Sequence, residues 1–303
     1  MLGISRSDEV PFMYRAYAWN DLGQENFTFL KSDLNNDLSP LMKTIHDFAP
    51  THVVNFAAQS MVGESWTFPE HWYETNVVAL SRLTSELKKL SSLEKYVHVT
   101  TPEVYGNTPG WVKEANQFNP STPYAISRAT GDMHLMALHK ELDFPVIFTR
   151  AANVYGAGQR FYRIVPKAAY CALRHERLPL HGGGRSMRCF IHVQDVAEAT
   201  WILALQATAG ATYHISTREA ISIREVVDKV FKAAGQSPVE LLDITEDRIG
   251  KDQNYLLDSS LIREEFGFEP KVSLEQGIAE VIDWTSRYID DVKPSDLKYA
   301  HQP

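Results

Sequence analysis

The segment Thr51–Ala58, THVVNFAA, constrains this chain more than any other. It is short and almost wholly apolar, with no polar residue on every second position. A strand of that kind is buried on both faces, as in a parallel sheet covered by helices. The flanking segments agree. Helical spacing follows in Tyr73–Leu90, with Val77, Leu80, Leu83, Leu87 and Leu90 on one face. Tyr96–Thr100 (YVHVT) reads as the next strand. Tyr124–Leu142 holds no proline and reads as a long helix, closed by Asp143-Phe-Pro, and Val146–Arg150 (VIFTR) is a further strand. Phe27–Lys31 (FTFLK) is an earlier one. Strands alternating with helices of this length predict βαβ units and a parallel, doubly wound α/β sheet.

The second half predicts helices at Ile164–His175, Val193–Gln206, Ile223–Ala234 and Leu274–Tyr288. Ser222 with Glu225 three residues on is a capping box for the third. Gly182-Gly-Gly-Arg185 lies between LPLH and MRCFIH, without the strand–glycine–helix order of a phosphate cradle, and reads as a turn. No repeat or low-complexity linker divides the chain, so one unit with a cleft is expected.

Thirty Lys and Arg against 38 Asp and Glu give a net charge of −8, which argues against a nucleic-acid partner. No apolar run approaches the ~18–20 residues of a membrane span, and no signal peptide is evident, so a cytoplasmic protein is expected. Cys171 and Cys189 are the only cysteines, too few for a disulfide framework or a thiolate cluster. His98, His181, His192 and His214 lack ligand spacing, so no metal site is expected.

Two segments carry the chemistry. Thr100-Thr-Pro-Glu-Val-Tyr-Gly106 closes a buried strand, at the carboxyl edge where parallel sheets place ligands. Pro123-Tyr-Ala-Ile-Ser-Arg128 opens a helix and sets Tyr124 four residues before Arg128, on the same face. A fixed positive charge lowers the pKa of a neighbouring phenol, so Tyr124 is expected to move protons near neutral pH. Thr101 offers a hydroxyl and Glu103 a carboxylate base. Taken alone, Tyr-x-x-x-Arg is a common surface helix start; the combination of segments is what informs.

That combination resembles the extended short-chain dehydrogenase/reductase family, and within it the nucleotide-sugar 4,6-dehydratases. The resemblance covers nearly the whole chain. It is carried by FAAQS (Phe56–Ser60), TPEVYG (Thr101–Gly106), NPSTPYAISR (Asn119–Arg128), RAANVYGAGQ (Arg150–Gln159), RCFIHVQDVAEA (Arg188–Ala199) and RIGKDQNYLLDSSLIREEFGFEP (Arg248–Pro270). It implies a Rossmann-like sheet built from residues 1–158 and about 187–216. A smaller sugar-nucleotide-binding lobe would come from about 159–186 and 217–303. It also implies a nicotinamide cofactor, a nucleoside-diphosphate sugar as substrate, and a homodimer. Thr101, Glu103, Tyr124 and Arg128 would be catalytic. Arg6, Asp33, Ala57, Ala58, Gln59, Tyr124, Arg128 and Asn153 would line the cofactor. Asn153, Arg163, Arg188 and Arg248 would hold the substrate, with Arg160 and Lys167 near them. Tyr124 would take the 4-hydroxyl proton and Glu103 the C5 proton before water leaves C6.

Three departures stand out. Pro102 replaces the Asp acid of the glucose-type dehydratases. Arg128 replaces the family lysine with a larger planar fork. The family's opening strand and Gly-x-x-Gly-x-x-Gly turn, a pyrophosphate cradle, have no counterpart in the 303 residues, and Met1–Ser5 aligns with the family's second strand. The expectation is a first strand lying upstream of Met1. Arg6 directly after that second strand suits a 2′-phosphate, which leans the cofactor toward NADP over NAD. A 4-epimerase, a decarboxylase and a non-catalytic sugar-nucleotide-binding subunit are the alternative functions.

Overall fold

The computed structural model describes residues 1–19, 24–238, 241–246 and 254–303. Strands β1 (Leu2–Ser5) and β2 (Thr28–Lys31) precede helix α1 (Leu38–Phe48) and β3 (His52–Asn55). Helix α2 (Pro69–Tyr73) runs through a π-helical stretch, Glu74–Ala79, into α3 (Leu80–Leu87) and then β4 (Lys95–Val99). The short β5 (Trp111–Val112) leads to α4 (Pro123–Leu142), β6 (Val146–Ala151) and β7 (Asn153–Tyr155). Next come α5 (Ile164–Arg174), β8 (Leu178–His181), β9 (Met187–His192), α6 (Val193–Gln206) and β10 (Thr212–Ile215). The chain continues with β11 (Ala220–Ser222), α7 (Ile223–Ala233), β12 (Leu242–Thr245), β13 (Leu256–Leu257), α8 (Ser260–Phe266) and α9 (Leu274–Tyr288).

The main sheet has the order β10-β6-β4-β3, and every pair is parallel. Its apolar strands are explained by β6. Val146 and Phe148 face a core with Leu41, Leu83, Leu87 and Leu135. Ile147, between them, faces the opposite core with Leu203, Tyr213 and Ile262. Both faces are covered, so both parities must be apolar; each fully buried side chain of this size contributes roughly 1.5–3 kcal/mol. A third core joins α5, α7 and α9 around Phe161, Tyr170, Phe231 and Trp284. Phe161 and Trp284 stack at 4.9 Å.

β1 and β2 form a separate two-stranded parallel sheet. Among the described residues no ladder joins it to β3. Side chains attach it instead. Met13 is buried in the third core and its carbonyl accepts from the Trp284 indole at 2.9 Å. Asn35 donates to Thr75 Oγ1 at 3.1 Å.

The helix ends follow local chemistry. Thr122 caps α4 by accepting from Ala125 N at 3.1 Å, and Pro123 takes the first helical position, where its missing N–H costs nothing. Asp143 ends the helix in the left-handed region at φ 53°. The capping box of Ser222 and Glu225 forms as expected. The Gly182–Gly184 turn has all three φ angles positive, and a Cβ on Gly184 would lie 2.8 Å from Arg224 N. That crowding and those angles explain a run of glycines without any ligand.

Candidate active site

The candidate site is assembled where the parallel strands β4 and β6 end and helix α4 begins. After β4 the chain turns into a single 3-10 turn, Pro102–Tyr105, with Thr101 as its cap accepting from Glu103 N at 3.3 Å. Pro102 is buried at the first position of this turn, where its fixed φ is pre-organised. Tyr124 lies in the first turn of α4 and is 8% exposed. Its pKa is raised, not lowered as the Tyr-x-x-x-Arg spacing suggested. Burial is the largest cause and Glu103 adds to it; Arg128, a hydrogen bond from Thr101 and Arg163 pull the other way without prevailing. Sequence spacing reports the neighbouring charge and says nothing of burial, so the expectation had the wrong sign.

Arg128 is 3% exposed and turned into the interior. Its guanidinium donates to the Val99 carbonyl and to His98 Nε2, the latter at 3.4 Å. His98 is neutral, its pKa held well below the ordinary value first by burial, then by Arg128 and Arg150. Deeper still, Arg150 and Asp132 pair at 2.9 Å with neither side chain exposed. Arg150 also donates to the Tyr105 hydroxyl at 2.7 Å, which lies 2.9 Å from His214 Nε2. Sequence reading missed this network, because its members come from four elements and share no local pattern.

Arg188 on β9 is 7% exposed. Its guanidinium stacks 4.0 Å above the Tyr255 ring and donates to Met187 O at 2.7 Å. Tyr255 in turn donates to Asn153 Oδ1 at 3.0 Å. Burial pushes the Tyr255 phenol up to about 12; Arg188 opposes this, while Glu103 and Tyr124 reinforce it. Glu103, Tyr124, Tyr255, Asn153 and Arg188 therefore share one electrostatic environment. Tyr255 was not singled out from the sequence, although it stands within a segment that was. Arg163 stands at the position before α5, without a side-chain capping bond, and acts on Tyr124 electrostatically. Arg160 lies 4.4 Å over Tyr14, and Lys167 stands one turn along α5 from Arg163. Arg248 lies outside the described residues.

The other residues expected to line a cofactor follow the strands β1, β2 and β3. Ala57 is exposed, Ala58 half-buried and Gln59 buried. Asn76, in the π-helical stretch, fixes this loop. It accepts from Gln59 N at 2.9 Å, donates to Gln59 O at 3.0 Å and donates to Ser127 Oγ at 2.9 Å. Arg6, Lys31 and Asp33 border a cavity of about 350 Å³. Asp33 is held locally by Asn35 N and Asn36 Nδ2 and does not cap α1, whose capping position is Asp37. Arg6 donates to the carbonyls of Gln302 and Pro303. No group of three or more His, Cys, Asp or Glu that could hold a metal occurs among the described residues. No described helix is long and apolar enough to cross a membrane. Both cysteines are buried, and burial pushes the Cys171 thiol up to about 11.

A parallel α/β sheet with a threonine, a carboxylate and a tyrosine gathered at its carboxyl edge defines a Rossmann-type member of the short-chain dehydrogenase/reductase class. Comparison with known proteins narrows this. The family profile described as GDP-mannose 4,6 dehydratase matches residues 4–281, and the chain belongs to that family. It is 30% identical over 261 residues to a dTDP-glucose 4,6-dehydratase of Streptomyces niveus, covering 86% of this chain and 76% of that one. It is also 30% identical over 263 residues to a trifunctional UDP-glucose 4,6-dehydratase, 3,5-epimerase and reductase of Arabidopsis thaliana. That match covers 86% of this chain and only 39% of the plant protein. Among solved structures, the dTDP-glucose 4,6-dehydratase DesIV of Streptomyces venezuelae with NAD and TYD bound superposes with a TM-score of 0.84 at 28% identity, covering 94% and 88% of the two chains. A UDP-glucuronic acid 4-epimerase of Bacillus cereus, in complex with UDP-glucuronic acid and NAD, gives 0.79 at 25% identity, with 86% and 82% covered.

Proposed function

We propose that this chain is an NAD(P)-dependent nucleotide-sugar 4,6-dehydratase. The observation that carries the reading is that Thr101 and Glu103, in the turn after β4, meet Tyr124, in the first turn of α4, at the carboxyl edge of the parallel sheet. A carboxylate beside the acid/base tyrosine is what dehydration needs and simple epimerisation does not. Thr101 and Tyr124 would hold the sugar 4-hydroxyl, and Tyr124 would carry its proton. The carbonyl left at C4 acidifies the C5 hydrogen, which Glu103 would remove and pass to the C6 hydroxyl so that it leaves as water; C6 would then regain the hydride given up at C4, and C5 a proton from solvent. Asn153, Arg188 and Arg163 would hold the diphosphate, a group that charge-assisted hydrogen bonds bind well.

Arg6, Asp33, Ala57, Ala58 and Gln59 fit a nicotinamide dinucleotide. The two alanines keep the end of β3 free of bulk, and Asn76 fixes the loop that carries them. When bound, that cofactor supplies reversible hydride storage. An NADP preference would rest on Arg6 meeting the 2′-phosphate. Similar structures were solved with NAD.

The test is incubation with NAD or NADP and dTDP- or UDP-glucose in deuterated water. A 4-keto-6-deoxy product carrying deuterium at C5 is expected, and Tyr124→Phe should lower the rate ~10²–10⁴-fold. A C4-inverted sugar without C5 deuterium would favour the 4-epimerase reading instead. Pro102, which has no proton to give the departing water, is the residue that favours that second reading.

A further inference from the structure

Residues 299–303 lie across the proposed cofactor groove and use its donors. Gln59 donates its side-chain amide to the Gln302 carbonyl at 2.7 Å. Arg6 donates to the same carbonyl at 3.1 Å and to that of Pro303. The His301 ring stacks on Trp72, His71 and Phe68 at 4.9, 5.1 and 5.3 Å. His71 Nδ1 and His301 Nε2 are 2.8 Å apart. Tyr299 meets Tyr162 edge-on at 5.4 Å. A flat nitrogen heterocycle on an aromatic plate, followed by two oxygens on a guanidinium, has the recognition chemistry of a nucleotide. The base resembles the heterocycle, and phosphate or ribose oxygens resemble the carbonyls.

We infer that this groove is one binding site with two exclusive occupants, residues 299–303 and the nicotinamide dinucleotide. The inference rests on the cofactor reading given above. The Gln59 amide and the Arg6 fork already serve the Gln302 and Pro303 carbonyls, so a dinucleotide reaching for them must displace the segment. Its apparent dissociation constant is then the intrinsic one divided by the fraction of molecules with the segment released. Weakening the segment should tighten cofactor binding without any change in a residue expected to touch the cofactor.

His301→Ala in the full chain tests this, because it removes the stacked ring and leaves Arg6 and Gln59 intact. Calorimetric titration with NAD should give a dissociation constant about tenfold lower in the variant than in the wild type. A second measurement uses the wild type with its histidine rings isotopically labelled, His301 being assigned by its absence from the variant. Stacking on Trp72 and Phe68 shifts the His301 ring resonances upfield, and saturating NAD should return them to solvent-exposed values. Equal or weaker NAD binding by His301→Ala overturns the shared site, as do His301 resonances that stay shielded at saturation; either result leaves the cofactor reading standing if NAD binds. Failure of NAD and NADP to bind either protein overturns both.

Discussion

Tyr124 is where burial and charge compete most directly. Its phenol is raised above the ordinary value, so at neutral pH it is protonated and only a small fraction is phenolate. That fraction grows tenfold per pH unit until the raised pKa is reached. The first half-reaction, measured as cofactor reduction in a single turnover, should therefore climb from pH 7 to 9 with a slope near one and no plateau. Arg163→Gln removes one of the cations that lower this pKa and should slow the step at each pH in that window. Glu103 acts at a different atom. Glu103→Gln should suppress deuterium entry at C5 by ~10²-fold or more while C4 oxidation persists, because an amide cannot act as a base. Mass spectrometry of the product checks it, and undiminished exchange would remove Glu103 from the mechanism. The identities of Thr101, Glu103 and Tyr124 were legible in the sequence because each falls in a contiguous motif. The sign of the Tyr124 shift was not, because it depends on how deeply the rest of the chain buries the ring. Tyr255 was hidden for a related reason. Its partners, Asn153 and Arg188, are brought to it by β7 and β9, and no spacing along the chain records that.

At the level of elements, helix α4 was readable from both ends, at Pro123 and at Asp143-Phe-Pro145, because prolines act locally, whereas its Thr122 cap was not read. The π-helical stretch between α2 and α3 was not. Its apolar residues still fall on one stripe, so the periodicity of Tyr73–Leu90 reads as a plain helix. Yet that stretch carries Asn76, which joins the loop after β3 to α4 through three hydrogen bonds. Asn76 is 2% exposed. Asn76→Ala would leave the Gln59 N–H without its partner, a cost of about 1–3 kcal/mol. It should lower the urea midpoint and weaken NAD binding together. A stability loss with unchanged NAD affinity would show that the loop keeps its shape without this anchor.

For the whole molecule, the alternation of apolar strands and helices foretold the parallel sheet, and the observed order β10-β6-β4-β3 bears it out. The deep pair of Arg150 and Asp132 was beyond the reach of sequence, since the two come from different elements and meet only when α4 packs on β6. Removing one partner of a fully buried pair strands the other charge. Asp132→Asn should therefore destabilise the protein by roughly 3–5 kcal/mol, readable as a lower melting temperature, although Asp132 touches nothing in the cleft. The split between the β1–β2 ribbon and the main sheet has a consequence of another kind. The ribbon is fastened by side chains, with Trp284 to Met13 and Asn35 to Thr75 among them, while the main sheet is fastened by backbone ladders. Such a unit opens on its own, at a free energy below that of global unfolding. Native-state hydrogen exchange should find the β1 and β2 amides exchanging through a low-energy opening that leaves β4 and β6 protected. Among the described residues no ladder pairs the outer edge of β3, beside the exposed Phe56, and each opening of the ribbon adds unpaired β1 and β2 backbone to that edge's free amides and carbonyls. Turbidity on heating should then appear below the temperature at which aromatic circular dichroism is lost, and earlier at higher protein concentration: the shelf life of this protein in solution would be governed by its loosest seam and not by its melting point.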